Sequence, residues 1–432
     1  MDSPTPIPHR GLLAGLLAAL AMLGPFCIDA IFPAFPAIAR RFDAGAVAMQ
    51  QTISVYLFAY AALSLFVGAM SDAWGRRAII LVGLVVFFAG TVGCALAPSM
   101  QALLMFRALQ GMSAGIGMIV GRAIVRDCFE GPHAQKLMAQ ISLIFGLAPA
   151  LAPVVGAWLV AWDGRPFAAP PAGLVGWHAL FWALALFTLA LIGLCLAVLP
   201  ETHARDRRVA FLPGTLFANY RGIITDHQFV ALALALTFNS AGFFVYIANA
   251  PTFVLGILKL DQNHFPWLFV PAISGLMLGA LLTSRLAGRV PVRTLVGAGY
   301  VVMLGASLLN LVAAFAVQPA RVPWTVLPIA IGAIGVNLVA PALNLLVLDR
   351  FPAYRGGASS VQAFLMLTFS ALLAGVLGPL LARSAPSLAI TSSAFYLIGL
   401  IGWRWYRHIA RRIPEKIDGD AAVIAVAGAN AD

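Results

Sequence analysis

The chain alternates long apolar stretches with short polar ones, and the apolar stretches are too long and too uniform for strands or for half-buried surface helices. A helix that crosses a bilayer needs about 20 predominantly apolar residues. Twelve stretches qualify: residues 11–38, 48–70, 78–97, 100–124, 138–161, 177–199, 228–257, 264–286, 294–317, 323–348, 358–382 and 387–408. The first is too long, and too sparsely preceded by charge, for a cleaved signal peptide, and reads as a span that stays in the chain. The expected fold class is therefore all-α integral membrane.

The longest polar break, 200–227, carries Glu201, Arg205, Asp206, Arg207 and Arg208 and then an amphipathic stretch through Tyr220. It divides the chain into an N-terminal six-helix bundle (1–199), a linker (200–227), a C-terminal six-helix bundle (228–409) and a polar tail (410–432) that reads as disordered. The halves echo each other. Gly68-Ala-Met-Ser-Asp-Ala-Trp-Gly-Arg-Arg77 joins the second and third spans, and Gly279, Arg285, Gly288, Arg289 and Arg293 fall between the eighth and ninth. With an even number of spans in each half the repeats run parallel, an arrangement found in transporters.

Composition agrees with lipid as the solvent. The 432 residues are 61% apolar and 10% charged, against roughly 45–50% and about 25% in soluble domains. Mean hydropathy is +0.93. Net charge is +11, and of the 27 Lys and Arg eighteen fall on the side of the two termini, six on the other side and three within spans. That bias places both termini in the cytoplasm. The basic residues gather on no single polar domain, so no nucleic-acid partner is expected.

Polar chemistry inside the spans is scarce. Of sixteen acids only Asp29 lies well within a span, and a charge at mid-bilayer costs about 2.5–3.5 kcal/mol. Such an Asp either locks helix packing or serves transport. Pro25 and Pro33 flank it by one turn each, and Pro33 has no N–H for the Asp29 carbonyl. Backbone broken in this way is tolerated at membrane depth where it lines a cavity or is buried in protein. Arg107 is the clearest buried cation, and at about 1.5 Å per residue it and Asp29 lie at similar depth, roughly 12–14 Å from the outer face. Matching depth permits a pair.

On the face of Arg107 lie Gln110, Gly111 and Gly115, with small-xxx-small spacing that lets helices approach. Gly146, Pro149, Pro153 and Gly156 predict a bent fifth helix. The second half has amides and an aromatic: Asn239, Tyr246, Asn249, Asn337, Asn344 and Gln362, with Pro341 freeing the carbonyl of Asn337. Tyr56 and Tyr60 lie one turn apart in the second span. Each second-half residue is either a substrate contact or an interhelical hydrogen bond, and the two tyrosines either line the same cavity or pack against a neighbouring helix.

Cys27, Cys94, Cys128 and Cys195 have no metal or disulfide spacing, and no cofactor or metal is expected. None of the three lysines lies in a P-loop pattern, which leaves an ion gradient as the energy source. Asp29 is the titratable group placed to sense it. A membrane enzyme would want clustered His, Asp, Ser or metal ligands at one face, and none is found.

Several motifs carry a family resemblance. Gly68-Ala-Met-Ser-Asp72-Ala-Trp-Gly75-Arg76-Arg77 resembles the loop 2–3 signature of the major facilitator superfamily. Arg107-Ala-Leu-Gln110-Gly111 resembles the helix 4 signature of its proton-coupled members, and Ala152-Pro153-Val-Val-Gly156-Ala157 the helix 5 antiporter signature. Asp29-Ala-Ile-Phe-Pro33-Ala-Phe-Pro36 and Pro200-Glu201-Thr202 resemble the bicyclomycin-resistance (Bcr/CflA) drug:proton antiporters. The resemblance implies that Gly68, Asp72, Gly75, Arg76 and Arg77 form a conformational gate, with Asp72 pairing across to the other half. It implies that Asp29 and Arg107 couple protons, and that the helix 5 signature enforces exchange. Departures are Ala73 where a basic residue is usual, Ala152 and Ala157 where glycine is commoner, and Thr283 where the first half has Asp72.

The expectation is a secondary active transporter, a non-enzyme and a monomer, in a bacterial inner (plasma) membrane. Its partners are a small-molecule substrate, protons and the lipid bilayer, and it exports amphipathic drugs or metabolites by alternating access. The alternatives are a proton-coupled importer of a specific solute and, remotely, a polytopic membrane enzyme or sensor.

Overall fold

The computed structural model describes residues 10–129, 131–162, 172–286, 288–317, 319–352 and 354–412. Most of the expected disordered tail lies outside the described residues, as do Arg165 and Lys416.

Among the described residues twelve helices are long and apolar enough to span a bilayer, and each coincides with an expected stretch. They are α1 Gly11–Phe42, α2 Ala46–Trp74, α3 Arg76–Ala95, α4 Met100–Cys128, α5 Leu143–Ala161, α6 Trp177–Val198, α7 His227–Ala248, α8 Gln262–Leu286, α9 Val292–Ala316, α10 Leu327–Arg350, α11 Arg355–Leu381 and α12 Ala385–Arg411. The helix containing α5 begins earlier, at Gly131. A linker helix, Pro213–Thr225, joins the halves. The even count puts Arg10 and Arg411 on one face, the terminal face; the opposite one is the distal face.

Prolines decide where the spans deviate from straight helices. In α1 the regular helix stops at Asp29, a tight turn covers Phe32–Ala34, and helix resumes at Phe35. The missing N–H of Pro33 explains the stop. The seventh stretch, expected to be continuous to 257, ends at Ala248 and gives way to a wide turn over Thr252–Ile257. Pro251 cannot return an N–H to Ile247, and Asn249 repairs the end by donating its Nδ2 to the Val245 carbonyl at 2.8 Å. In α11 a wide turn over Leu373–Leu377 precedes Gly378-Pro379.

The two sets of six spans repeat one packing scheme. The pairings α2–α4, α3–α4 and α3–α6 recur as α8–α10, α9–α10 and α9–α12. Glycines allow the closest crossings: a Cβ on Gly111 would stand 2.2 Å from the Tyr56 carbonyl oxygen, and one on Gly275 2.1 Å from that of Ala330. The halves meet along α2–α11 and α5–α8.

Asp226 starts the second half. Its carboxylate caps α7 by accepting the Phe229 N–H at 2.8 Å and takes two bonds from Arg350, at 2.6 and 3.1 Å. Burial alone would push this carboxyl up, but the Arg350 and amide hydrogen bonds outweigh it and hold it below the usual range. A lowered folded value stabilises above the unfolded carboxylate value of about 3.9, and that stability is lost as pH falls through the folded value. Asp226→Asn keeps the cap and removes the charge. Its melting point at pH 7 is expected to fall by the equivalent of about 0.2–1 kcal/mol. The gap to the unsubstituted protein should close below about pH 4 in a pH series of thermal melts.

Candidate functional site

Arg107 is fully buried on α4. Its Nε donates to the Thr52 carbonyl at 3.1 Å, and its Nη1 to Gln110 Oε1 at 2.9 Å and Cys27 Sγ at 3.1 Å. Its guanidinium lies 4.3 Å from the centre of the Tyr56 ring. Its Nη2 has no partner, and no carboxylate lies within ion-pair distance among the described residues. Tyr56 is locked in turn, its hydroxyl donating to the Gly24 carbonyl at 2.9 Å. Gln110 donates to Thr91 Oγ1 at 2.7 Å and accepts from Arg107, so its amide is spent on holding the guanidinium.

Asp29 and Arg107 do not pair, although their depths match. The reason is helical phase: Cys27 faces α4, and two residues further on a helix of 3.6 residues per turn the side chain points to the opposite side. Asp29 is 4% exposed, and its carboxylate makes no hydrogen bond or ion pair among the described residues. It ends a stripe on α1. Gly15 is exposed, Ala19, Met22 and Phe26 are half-buried, and Asp29 is buried, at steps of three or four residues. The next residue on that stripe, Phe32, stacks on Phe265 at a centroid distance of 6.4 Å and meets Phe269 at a tilt at 5.8 Å, both on α8. At Phe32 the stripe meets the other half. Exposure along it falls from the terminal face to Asp29.

More of the distal closure is polar. Gln50 donates to Asn249 Oδ1 at 2.9 Å, Gln51 to the Gly375 carbonyl at 2.8 Å and Ser54 to that of Ala371 at 2.8 Å. The Gly375 carbonyl is the one that Pro379 leaves without its helical N–H. Behind Asp29, Gly156 of α5 packs so tightly that a Cβ would stand 2.2 Å from the Ala30 carbonyl oxygen, whereas Gly146 has open space around it. Pro149 and Pro153 lie within the same continuous helix.

The second-half residues divide. Asn239 donates to Tyr300 at 2.9 Å, and Tyr246 accepts from Asn310 at 2.7 Å. Both bonds run to α9, inside the second half. Asn337 donates to the Leu276 carbonyl at 2.7 Å, and its own carbonyl, freed by Pro341, accepts from Thr283 at 3.0 Å. Gln362 differs: it is 6% exposed and neither amide atom has a partner. Tyr60 is half-buried over Gly115, and its hydroxyl bonds nothing among the described residues.

At the terminal face, Arg76 binds Asp72 and Ser71, and its Nε meets Asp127 at 3.2 Å. Its backbone N–H donates to Glu201 at 2.9 Å, and Arg77 donates to the Leu196 carbonyl at 2.9 Å. Gly75 takes φ +101°, and a Cβ there would strike Glu201; Gly68 has no such neighbour. Asp72 thus bonds within its own half and not across, and Trp74 beside it packs on Phe211 of the linker. Asp127 and Glu201 are the members that motif reading missed. Glu201 sits in the Pro-Glu-Thr triplet, but nothing in its spacing shows that it caps α3.

The family model of the Major Facilitator Superfamily matches residues 14–379, and the chain belongs to that family. It is a multi-pass membrane transporter and not an enzyme. It is 29% identical over 396 residues to the uncharacterized MFS-type transporter YdgK of Bacillus subtilis, covering 91% of this chain and 94% of that protein. It is 25% identical over 394 residues to a bicyclomycin resistance protein homolog of Haemophilus influenzae (90% and 94% covered). It is 30% identical over 370 residues to the multidrug transporter MdfA of Escherichia coli (82% and 86% covered). Among solved structures, a bacterial homolog of the human lysosomal transporter Spinster, in an inward-facing and unoccupied conformation, matches with a TM-score of 0.69 at 16% identity, covering 94% of this chain and 97% of that one.

The two glycines of α5 give a contrast. Gly156→Ala forces a methyl group against the Ala30 backbone and is expected to destabilise the purified protein by about 1–3 kcal/mol. Gly146→Ala should leave melting unchanged or raise it slightly. Equal melting points for the two variants would show that the α1–α5 contact is not as tight as described.

Proposed function

We propose that the chain is a proton-coupled exporter of small amphipathic compounds, working as a monomer in a bacterial inner membrane. The single observation that carries this is Asp29: a buried carboxylate with no partner among the described residues, at the buried end of a stripe on α1 that leads to the other half. On this reading the stripe lines a cleft between the two six-helix bundles. A group with no internal partner is free to take a proton or a cationic substrate in turn. Arg107, caged in the same bundle with one unused nitrogen, supplies a fixed positive charge in the first half. The names of the Haemophilus influenzae and Escherichia coli relatives support drugs as the substrate class. The basic bias of the terminal face supports a cytoplasmic location for it, which makes this state closed outward and accessible inward.

On this reading the bundles 1–199 and 228–409 rock about the distal seal, with 200–227 as their tether. Gln362 and Tyr60 offer free polar groups to the substrate. The cluster of Asp72, Arg76, Arg77, Asp127 and Glu201 is the cytoplasmic gate, held in its own half while the cleft is open.

Two measurements test the proposal. Addition of bicyclomycin to acidified inverted vesicles should release protons when the unsubstituted protein is present. Asp29→Asn should lower that rate at least about tenfold while its melting point stays close to that of the unsubstituted protein. Full proton release by the variant would remove Asp29 from coupling, and accumulation of the compound in intact expressing cells would indicate import. Separately, Gln50→Cys with Asn249→Cys, bridged by a short bifunctional thiol reagent, should stop exchange by holding the distal face shut. The single variants treated alike should keep it; undiminished transport by the bridged pair would rule out opening at that seal.

A further inference from the structure

A second cavity, of about 140 Å³, lies at the terminal face, away from the cleft. It is formed by the start of α9, the end of α12 and Leu346 of α10. Three arginines line it: Arg293 on the first turn of α9, and Arg407 and Arg411 on α12. Positions 407 and 411 lie one above the other on the same helix face, where like charges repel unless something neutralises them. No arginine of the three forms an ion pair among the described residues. Asp349 of α10 is the acid that flanks the cluster, beside Tyr406, and it too is unpaired; its neighbour Arg350 is committed to Asp226.

Two further features mark the cavity as suited to an anion with an apolar body. The first intrahelical bonds of α9 come from Thr294 and Leu295 to the Pro291 carbonyl, so the N–H groups of Val292 and Arg293 have no partner among the described residues. Amides at the start of a long helix attract anions. Trp403 and Tyr406, stacked at 5.6 Å, form another wall, and such rings favour the headgroup level of a bilayer. Towards the membrane interior the same three helices present exposed Val301, Leu345 and Ile401. A free phosphate would use only the arginines and the amides; a lipid would also cover these apolar residues.

We propose that this cavity binds the phosphate headgroup of an anionic phospholipid from the leaflet on the terminal side. Arg293, Arg407 and Arg411 neutralise the phosphate, the α9 amides bond its oxygens, and the acyl chains run down α9, α10 and α12. The site is separate from Asp29 and does not depend on how the transport cycle is coupled.

The test is native mass spectrometry of the full chain in detergent with added phosphatidylglycerol. The unsubstituted protein should retain phosphatidylglycerol and release phosphatidylcholine under the same activation. Arg407→Ala with Arg411→Ala should weaken retention about tenfold or more, as expected for losing two interfacial basic residues. Arg321→Ala with Arg383→Ala, on the distal face, should leave retention unchanged. If the α12 pair fails to fold, Arg293→Gln alone should still lower retention measurably. Inorganic phosphate at matched concentration should not displace the lipid. Equal retention of both lipids, full retention by the α12 variant, or displacement by phosphate alone would each overturn the proposal.

Discussion

A backbone carbonyl released by proline inside a bilayer has no water to turn to, so its partner must come from another part of the protein. This chain turns that constraint into joints. Pro379 releases the Gly375 carbonyl, and Gln51 of the opposite half takes it. Pro341 releases the Asn337 carbonyl, and Thr283 of the neighbouring helix takes it. Pro251 ends α7, and Asn249 both repairs that end and accepts Gln50 across the interface. One repair, and the residue that makes another, tie the halves together at the distal face. These are single neutral hydrogen bonds, worth about 0.5–1.5 kcal/mol each, weak enough to be exchanged for another set without unfolding either bundle.

The same constraint explains why the two buried charges of the first half are treated so differently. A guanidinium is a permanent cation, so the charge of Arg107 must be solvated in every state. A carbonyl, an amide, a thiol and an aromatic face do this, each held by its own bonds or packing. Asp29 needs no such cage in every state, because protonation removes its charge. An uncaged carboxylate and a caged cation in one bundle are chemically asymmetric, and only the carboxylate is free to change partner.

The fold was legible because it depends on hydropathy and proline positions, both printed directly in the chain. The break at Pro33 and the carbonyl freed by Pro341 were deducible, since each follows from one missing N–H. The site was legible only residue by residue. Asp29 and Arg107 stand out as charges, but that they turn away from each other depends on the phase of α1 relative to α4, which depth arithmetic does not contain. Gln110 looked like a cavity residue because it shares the face of Arg107; the structure spends its amide on Thr91 and Arg107. Asp127 and Glu201 carry no spacing signal, because their partner Arg76 lies 51 and 125 residues away.

The second half repeats the packing of the first but not its chemistry, and hydrogen-bond capacity accounts for the difference. The Asn239 amide N–H bonds Tyr300, and Tyr246 bonds Asn310, between α7 and α9. Asn239 Oδ1 is left buried without a partner, and in Gln362 neither amide atom has one. Leaving a buried polar group unsatisfied costs about 1–3 kcal/mol, a cost that a bound polar ligand would remove. Asp29 lies in the first half, and the unpartnered amide of Gln362 lies in the second. A molecule that touches both must bridge the two bundles, so its arrival and departure bear directly on how the halves lie against each other.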